Sequence, residues 1–93
     1  MEIFQTEKDS KGLFFVEVEG EILAKLLYHY AGPGKMIIDH TEVDDKLSGK
    51  GIGKQLVGKA VSFAREHKLK ILPLCPFAKA LIDKIPEYQD VLF

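Results

Sequence analysis

The sequence predicts an α+β fold in which a mixed sheet begins with antiparallel N-terminal strands and continues into a β-α-β crossover and a C-terminal helix. Apolar residues occupy every second position through 14–18 and again through 22–30, with only a short polar turn between, as in neighbouring antiparallel strands. From residue 36 onward the order changes to strand, glycine-rich turn, amphipathic helix and apolar strand. A crossover of this kind is right-handed and makes its two strands parallel.

The individual elements follow from local periodicity and from turn residues. Phe14, Val16 and Val18 share one face of a strand, and Gly32 and Pro33 break the chain before the next one. Apolar residues recur at helical spacing from Ile52 to Ala64. The predicted elements are an edge strand at 2–7, strands at 13–19, 22–30 and 36–43, a helix at 51–65, a strand at 70–74, a helix from Pro76 to the residue before Pro86, and a terminal turn or tail at 87–93.

Length and composition limit the class of protein. The 93 residues are 46% hydrophobic and 29% charged, which is typical of one globular domain spanning 1–93. The net charge of −1 argues against a general binder of nucleic acid or of anionic membranes. No apolar run is long enough to span a membrane, and the N-terminus does not resemble a signal peptide, so we expect a cytoplasmic protein and, by default, a monomer.

Cysteine and histidine usage gives no sign of a disulfide or a metal. Cys75 is the single cysteine, and the three histidines are far apart without ligand spacing. We therefore expect no structural metal.

The most informative stretch is the glycine turn at the start of the first helix. Gly49, Gly51 and Gly53 alternate there, and they leave backbone amides uncovered where the first helical N–H groups have no intrahelical partner. Lys50 and Lys54 add positive charge. Free donors at the positive end of a helix favour a phosphate, although a plain turn and helix entry would use the same glycines.

Two familiar phosphate motifs do not fit this turn. A Walker loop needs Ser or Thr after Gly-Lys, whereas Gly53-Lys54 is followed by Gln55. A dinucleotide fingerprint needs a third glycine where the two possible frames have Lys54 or Leu56. A nucleotide triphosphatase and a dinucleotide enzyme are both disfavoured.

The turn instead resembles motif A of the GNAT acetyltransferase superfamily. The matching frame is Ser48-Gly49-Lys50-Gly51-Ile52-Gly53, in which Ser48 stands where the superfamily has Arg or Gln. A closer resemblance is to very small GNAT-like proteins that share His40-Thr41-Glu42-Val43 before the turn and Leu74-Cys75-Pro76-Phe77 after the next strand. Relative to the superfamily, the fold would be GNAT-like but truncated at the N-terminus, without room for the usual acceptor-binding helices.

The resemblance implies that acetyl-CoA is the acyl donor and enters a gap between two splayed parallel strands. Its pantetheine arm would pair with the backbone from Thr41 to Val43, and its pyrophosphate would lie on the turn. The residues implied to bind the donor are Thr41, Val43, Ser48, Gly49, Lys50, Gly51, Ile52, Gly53, Lys54, Pro76 and Phe77.

Three residues are candidates for the chemistry. Cys75 would lie beside the thioester and could accept the acetyl group if His40 activates its thiol. Alternatively, His40 or Glu42 would deprotonate an amine that attacks the thioester directly. The superfamily's usual tyrosine acid falls at Leu81, which leaves Cys75 or Tyr88 as acid. Each candidate also has a structural interpretation, with Cys75 as a core residue, His40 as a half-buried histidine on the Ile38 face, and Glu42 as a solvated carboxylate.

The sequence is compatible with three functions. The first is an N-acetyltransferase acting on an unidentified amine of a small molecule or a protein. The second is a non-catalytic module that binds acetyl-CoA or CoA. The third is an interaction domain that uses an exposed strand edge.

Overall fold

The computed structural model describes all residues from 1 to 93, and it has a five-stranded mixed sheet with two α-helices. The elements are β1 (Phe4–Lys8), β2 (Lys11–Val18), β3 (Glu21–Tyr30), β4 (Lys35–Val43), α1 (Ile52–Glu66), β5 (Lys70–Pro73) and α2 (Pro76–Lys84), with 3-10 helices at Asp45–Leu47 and Pro86–Val91. The strands lie in chain order, and only β4 and β5 are parallel. The predicted α+β class and the crossover are confirmed.

One face of the sheet carries the core. Phe14, Leu26, Tyr28, Met36 and Ile38 are buried there. The helices cover this face with their apolar stripes, and the fully buried helical residues are Leu56, Val57, Ala60, Val61 and Ala64 of α1 and Ala78 and Ile82 of α2. The stripe on α1 exists because its apolar residues recur every three or four positions.

The other face of the sheet is not covered by a helix. Five of its apolar side chains are only half-buried, and Phe4 is 42% exposed. We call this surface the open sheet face, and its apolar residues are Phe4, Leu13, Phe15, Leu27, Ile37 and Leu72.

A β-bulge in β4 decides which side chains reach which face. Tyr28 pairs with Ile38 and Leu27 pairs with His40, so Asp39 is the extra residue between them. Beyond the bulge the alternation is inverted, which directs Thr41 and Val43 to the helix side and His40 and Glu42 to the open sheet face. Placing His40 on the face of Ile38 was therefore wrong, because strict alternation does not allow for an inserted residue.

The C-terminal residues are ordered and add to the edge of the sheet. The 3-10 helix Pro86–Val91 packs against both helices, and Arg65 pairs with Asp90 at 2.8 Å. The amide of Phe93 donates to the Ile71 carbonyl at 2.8 Å. The predicted turn or tail is thus a packed element. No helix of the structure has the length and apolar character needed to cross a bilayer.

Candidate functional site

The two parallel strands separate after Ile38. The amides of Leu74 and Cys75 both donate to the Ile38 carbonyl, at 3.0 and 3.2 Å, and these are the last bonds between the strands. Residues 39–43 of β4 continue with only β3 beside them. The Asp44 amide donates to the Leu23 carbonyl of β3 at 2.7 Å. Since peptide groups alternate in direction along a strand, those of Thr41 and Val43 point the other way, into the gap.

The glycine turn stands beside this free edge. Gly49 and Gly51 have φ values of 78° and 70°, the left-handed region in which glycine is favoured. Gly51 is the N-cap of α1 and provides no side-chain cap, and the first helical bond runs from the Gln55 amide to the Gly51 carbonyl at 3.1 Å. The amides of residues 49–54 donate to no backbone carbonyl. They form a concentrated set of donors at the positive end of a 15-residue helix.

A cavity of about 480 Å³ joins the free edge to the turn. Its lining consists of Thr41, Val43, Leu47, Ser48, Gly49, Gly51, Ile52, Gly53, Lys54, Phe77 and Leu81. Phe77 packs so closely on Gly53 that a Cβ at that glycine would lie 2.8 Å from the end of the ring. Lys50 and Pro76, which were also candidates for donor binding, do not line the cavity. Leu47 was not predicted to lie at the site, although it is a single apolar residue among polar ones in the sequence, and it is only 4% exposed.

Cys75 contacts Thr41 rather than His40. It is the N-cap residue of α2 and only 6% exposed, and its Sγ lies 3.5 Å from Thr41 Oγ1. Burial by itself raises the pKa of the thiol. Hydrogen bonds from the Thr41 hydroxyl and from the Ala78 and Phe77 amides outweigh burial, so the net pKa is lower than that of a free cysteine.

His40 and Glu42 form a separate group on the open sheet face. His40 Nε2 lies 3.3 Å from Glu42 Oε1, and Lys25 Nζ lies 3.4 Å from Glu42 Oε2. The hydrogen bond from His40 is the main cause that lowers the pKa of Glu42, followed by Lys25. The expected contact between His40 and Cys75 is therefore not formed, because the bulge at Asp39 turns His40 away from the helix side.

Leu81, at the position of the superfamily's tyrosine acid, and Tyr88, a candidate for the acid in this chain, lie in different places. Leu81 lines the cavity, where its side chain has no proton to give. Tyr88 lies against α1 instead, since a Cβ at Gly58 would be 3.3 Å from its hydroxyl and Arg65 lies over its ring. Tyr88 does not line the cavity, so a route through this residue loses its geometric basis.

The fold and site together define an α+β protein in which a free strand edge opens onto an array of unpaired amides at a helix start. The family model of the GCN5-related N-acetyl-transferases matches residues 13–91. This chain belongs to the GCN5-related N-acetyltransferase family, whose acyl donor is acetyl-CoA.

Curated relatives include the vertebrate protein NATD1. The chicken protein is 35% identical over 92 residues, covering 95% of this chain and 84% of the relative. The human protein is 35% identical over 71 residues, covering 74% of this chain. The chain spans 65%, 64% and 63% of the frog, mouse and human proteins, respectively, which is less than two thirds of their length.

Solved structures agree with the fold. A GCN5-like protein from Staphylococcus aureus is 39% identical, with a TM-score of 0.76 over 99% of this chain and 87% of that one. A GNAT acetyltransferase from Elizabethkingia anophelis with acetyl-CoA bound has a TM-score of 0.60, and the match covers 69% of this chain and 42% of that one. Its identity is 22%, so it is a likeness of fold.

Proposed function

We propose that this protein binds acetyl-CoA in the cleft between β4 and β5 and transfers its acetyl group to an amine. The observation that carries the proposal is that two adjacent sets of backbone groups have no hydrogen-bond partner in the protein backbone. The unpaired edge of β4 offers peptide groups at Thr41 and Val43, and it opens onto the free amides of residues 49–54. An elongated ligand with amide groups at one end and phosphates at the other satisfies both.

Each part of the donor has a matching surface in this arrangement. The pyrophosphate lies on the amides of the turn from Gly49 to Lys54, since the Ser48 amide already donates to the Asp45 carbonyl at 3.1 Å. Lys54 lines the cavity and Lys50 lies outside it. The pantetheine amides pair with Thr41 and Val43 in place of a neighbouring strand. Leu47, Phe77 and Leu81 form the apolar walls. The thioester then reaches the point of divergence beside Ile38, between Cys75 on the helix side and His40 on the open side.

In the direct route the amine approaches from the open sheet face. Its nitrogen attacks the thioester carbonyl, the carbon–sulfur bond breaks, and CoA leaves as a thiolate. His40 takes the amine proton, and since its Nε2 faces Glu42, Nδ1 is the nitrogen available to accept it. A carboxylate with a lowered pKa is a weak base, so Glu42 orients the ring and stabilises its protonated form.

In the relay route Cys75 reacts first. Its thiolate attacks the thioester carbonyl, the bond from the carbonyl carbon to the CoA sulfur breaks, and CoA leaves as a thiolate. The amine then attacks the acetyl-cysteine, the Cys75 thiolate is restored, and the amine proton passes to the CoA thiolate or to water. The lowered pKa of Cys75 supports this route, because the Thr41 hydroxyl stabilises the thiolate by a hydrogen bond. His40, which was expected to activate the thiol, does not contact it.

A second function, binding of acetyl-CoA without efficient transfer, is favoured by one specific observation. Leu81 occupies the cavity wall at the position of the superfamily's acid, and Tyr88 lies elsewhere. Without an acid, the leaving thiolate depends on water or on Cys75 for its proton.

Binding is tested by titrating ¹⁵N-labelled protein with acetyl-CoA. We expect amide shifts concentrated in residues 41–54 and 74–77, and no saturable shift there would refute both functions. Thiol release against a panel of amines then separates transfer from binding alone.

The two routes are separated with His40→Gln and Cys75→Ala. Loss of turnover in His40→Gln with turnover kept in Cys75→Ala supports direct transfer. The reverse pattern, with an acetyl adduct in intact mass that Cys75→Ala removes, supports the relay.

A further inference from the structure

The open sheet face leads directly to the groups proposed to receive the acceptor. Leu13 pairs with Leu27 across β2 and β3, and Leu27 pairs with His40 across β3 and β4. The adjacent row runs from Phe4 through Phe15 and Lys25 to Glu42. The rings of Phe4 and Phe15 are 5.7 Å apart. Two neighbouring rows of the sheet thus connect an apolar surface with the His40–Glu42 pair.

The apolar centre of this surface is not concave, since Phe15 and Leu27, like His40, line none of the main cavities. The main cavities that touch this surface lie at its two ends, where Leu13 borders one and Lys25 and Glu42 border another. Small molecules bind in concave pockets that enclose most of their surface, whereas broad, shallow apolar surfaces suit macromolecules. The acceptor side of the site therefore fits a chain laid across the strands better than a small amine.

Charge is distributed unevenly between the two ends of the sheet. Residues 17–25 and 42–48, at the end where β4 finishes, contain six carboxylates and two lysines. Both lysines are paired, Lys25 with Glu42 at 3.4 Å and Lys46 with Glu21 at 3.5 Å. Turns and strand ends at the opposite end, in 8–11, 29–35 and 68–70, contain five lysines and one aspartate. The acidic end is the one next to His40.

We propose that the acceptor is a polypeptide whose reactive amine is flanked by basic and apolar residues. Its apolar side chains pack on Leu13, Phe15 and Leu27, and its cationic residues lie over the acidic end, where opposite charge favours their approach. The amine then reaches His40 at the gap. This inference rests on the proposed acetyl transfer and names the class of its acceptor.

The test uses three synthetic peptides with blocked N-termini and one lysine each. The first has arginine and leucine around the lysine, the second has glutamate in place of arginine, and the third has serine in place of leucine. Spermidine serves as the small amine. We expect kcat/KM from thiol release to be at least about tenfold higher for the first peptide than for any other probe, a difference of about 1.4 kcal/mol.

Protein variants then locate the contact. Phe15→Ser and Leu27→Ser should raise KM for the first peptide several-fold, with unchanged acetyl-CoA affinity and circular dichroism as evidence of an intact fold. Phe93→Ser is the matched control, since Phe93 is 61% exposed and lies outside the two rows. If acetyl-CoA binds but no peptide is acetylated, NMR shifts of the Leu13 and Leu27 amides that only the first peptide causes would support peptide binding at the same surface.

The outcomes separate this inference from the proposal on which it rests. If acetyl-CoA does not bind, both the proposed acetyl transfer and the polypeptide acceptor are refuted. If acetyl-CoA binds normally, any of three results overturns the polypeptide acceptor and leaves the acetyl-CoA site standing. These results are equal reaction or equal binding of all three peptides, a preference for spermidine, and no effect of Phe15→Ser and Leu27→Ser.

Discussion

Replacing Gly51 with alanine tests whether binding of acetyl-CoA depends on the conformation of the glycine turn. Gly51 has φ of 70°, and a Cβ at this position meets nothing within 4 Å. The whole effect is therefore conformational. Alanine in the left-handed conformation is less stable than in a right-handed one by about 1–2 kcal/mol. The variant therefore either keeps the shape of the turn and loses stability, or the turn rearranges.

Both responses have measurable consequences. If the turn keeps its shape, we expect the melting temperature to fall by several degrees, at about 4–8 °C for each kcal/mol in a domain of this size. If the turn rearranges, the amides of residues 49–54 no longer converge, and the Kd for acetyl-CoA should rise. A 1–2 kcal/mol preference for the rearranged turn corresponds to a rise of about 5- to 30-fold.

Gly32→Ala is a matched control because Gly32 has φ of 72°, has nothing within 4 Å of a Cβ, and lies in the turn between β3 and β4. Differential scanning calorimetry and isothermal titration calorimetry on both variants separate strain from binding. We expect Gly32→Ala to lose stability without a change in Kd. An unchanged Kd in Gly51→Ala together with an unchanged melting temperature, or an equal rise of Kd in both variants, would refute the reasoning.

Two further predictions concern the aromatic end of the sheet. A Cβ at Gly12 would lie 2.1 Å from Tyr28 Cζ, and the Tyr28 ring is buried and held by Gln5 at 2.7 Å and Glu7 at 2.5 Å. Gly12→Ala should therefore cost about 1–3 kcal/mol in urea unfolding, as overpacking does, and a loss below about 0.5 kcal/mol would contradict the rigid contact. Burial, followed by the hydrogen bond to Glu7, raises the pKa of Tyr30 to about 12 and also raises that of Tyr28. Because the unfolded tyrosines ionise near pH 10, this stabilisation is complete below about pH 10 and is lost as the pH rises toward 12. The free energy of unfolding should fall more steeply over that interval in the wild type than in a Tyr28→Phe/Tyr30→Phe variant, and equal slopes would contradict the assignment.

Local patterns were enough to predict the order and type of the main elements. Periodicity gave α1 as 51–65 against the observed Ile52–Glu66, and β4 as 36–43 against Lys35–Val43. Gly49 and Gly51 do take the conformations for which glycine is favoured, so the free amides of the turn followed from chemistry that the sequence displays directly.

The features that local patterns missed depend on distant partners. The bulge at Asp39 leaves no mark in the sequence of 36–43, and only the pairing with β3 shows it. The C-terminal 3-10 helix is fixed by Arg65, which lies 25 residues away from Asp90. The contact between Cys75 and Thr41 likewise joins residues 34 apart and could not be distinguished from one with His40.

The inserted residue in β4 has an evolutionary consequence. A deletion of one codon at Asp39 would exchange the destinations of all later side chains in the strand, sending Thr41 and Val43 toward solvent and His40 and Glu42 under the helices. The length of the strand at this position therefore cannot change without exchanging the side chains that face the helices for those that face the open sheet face.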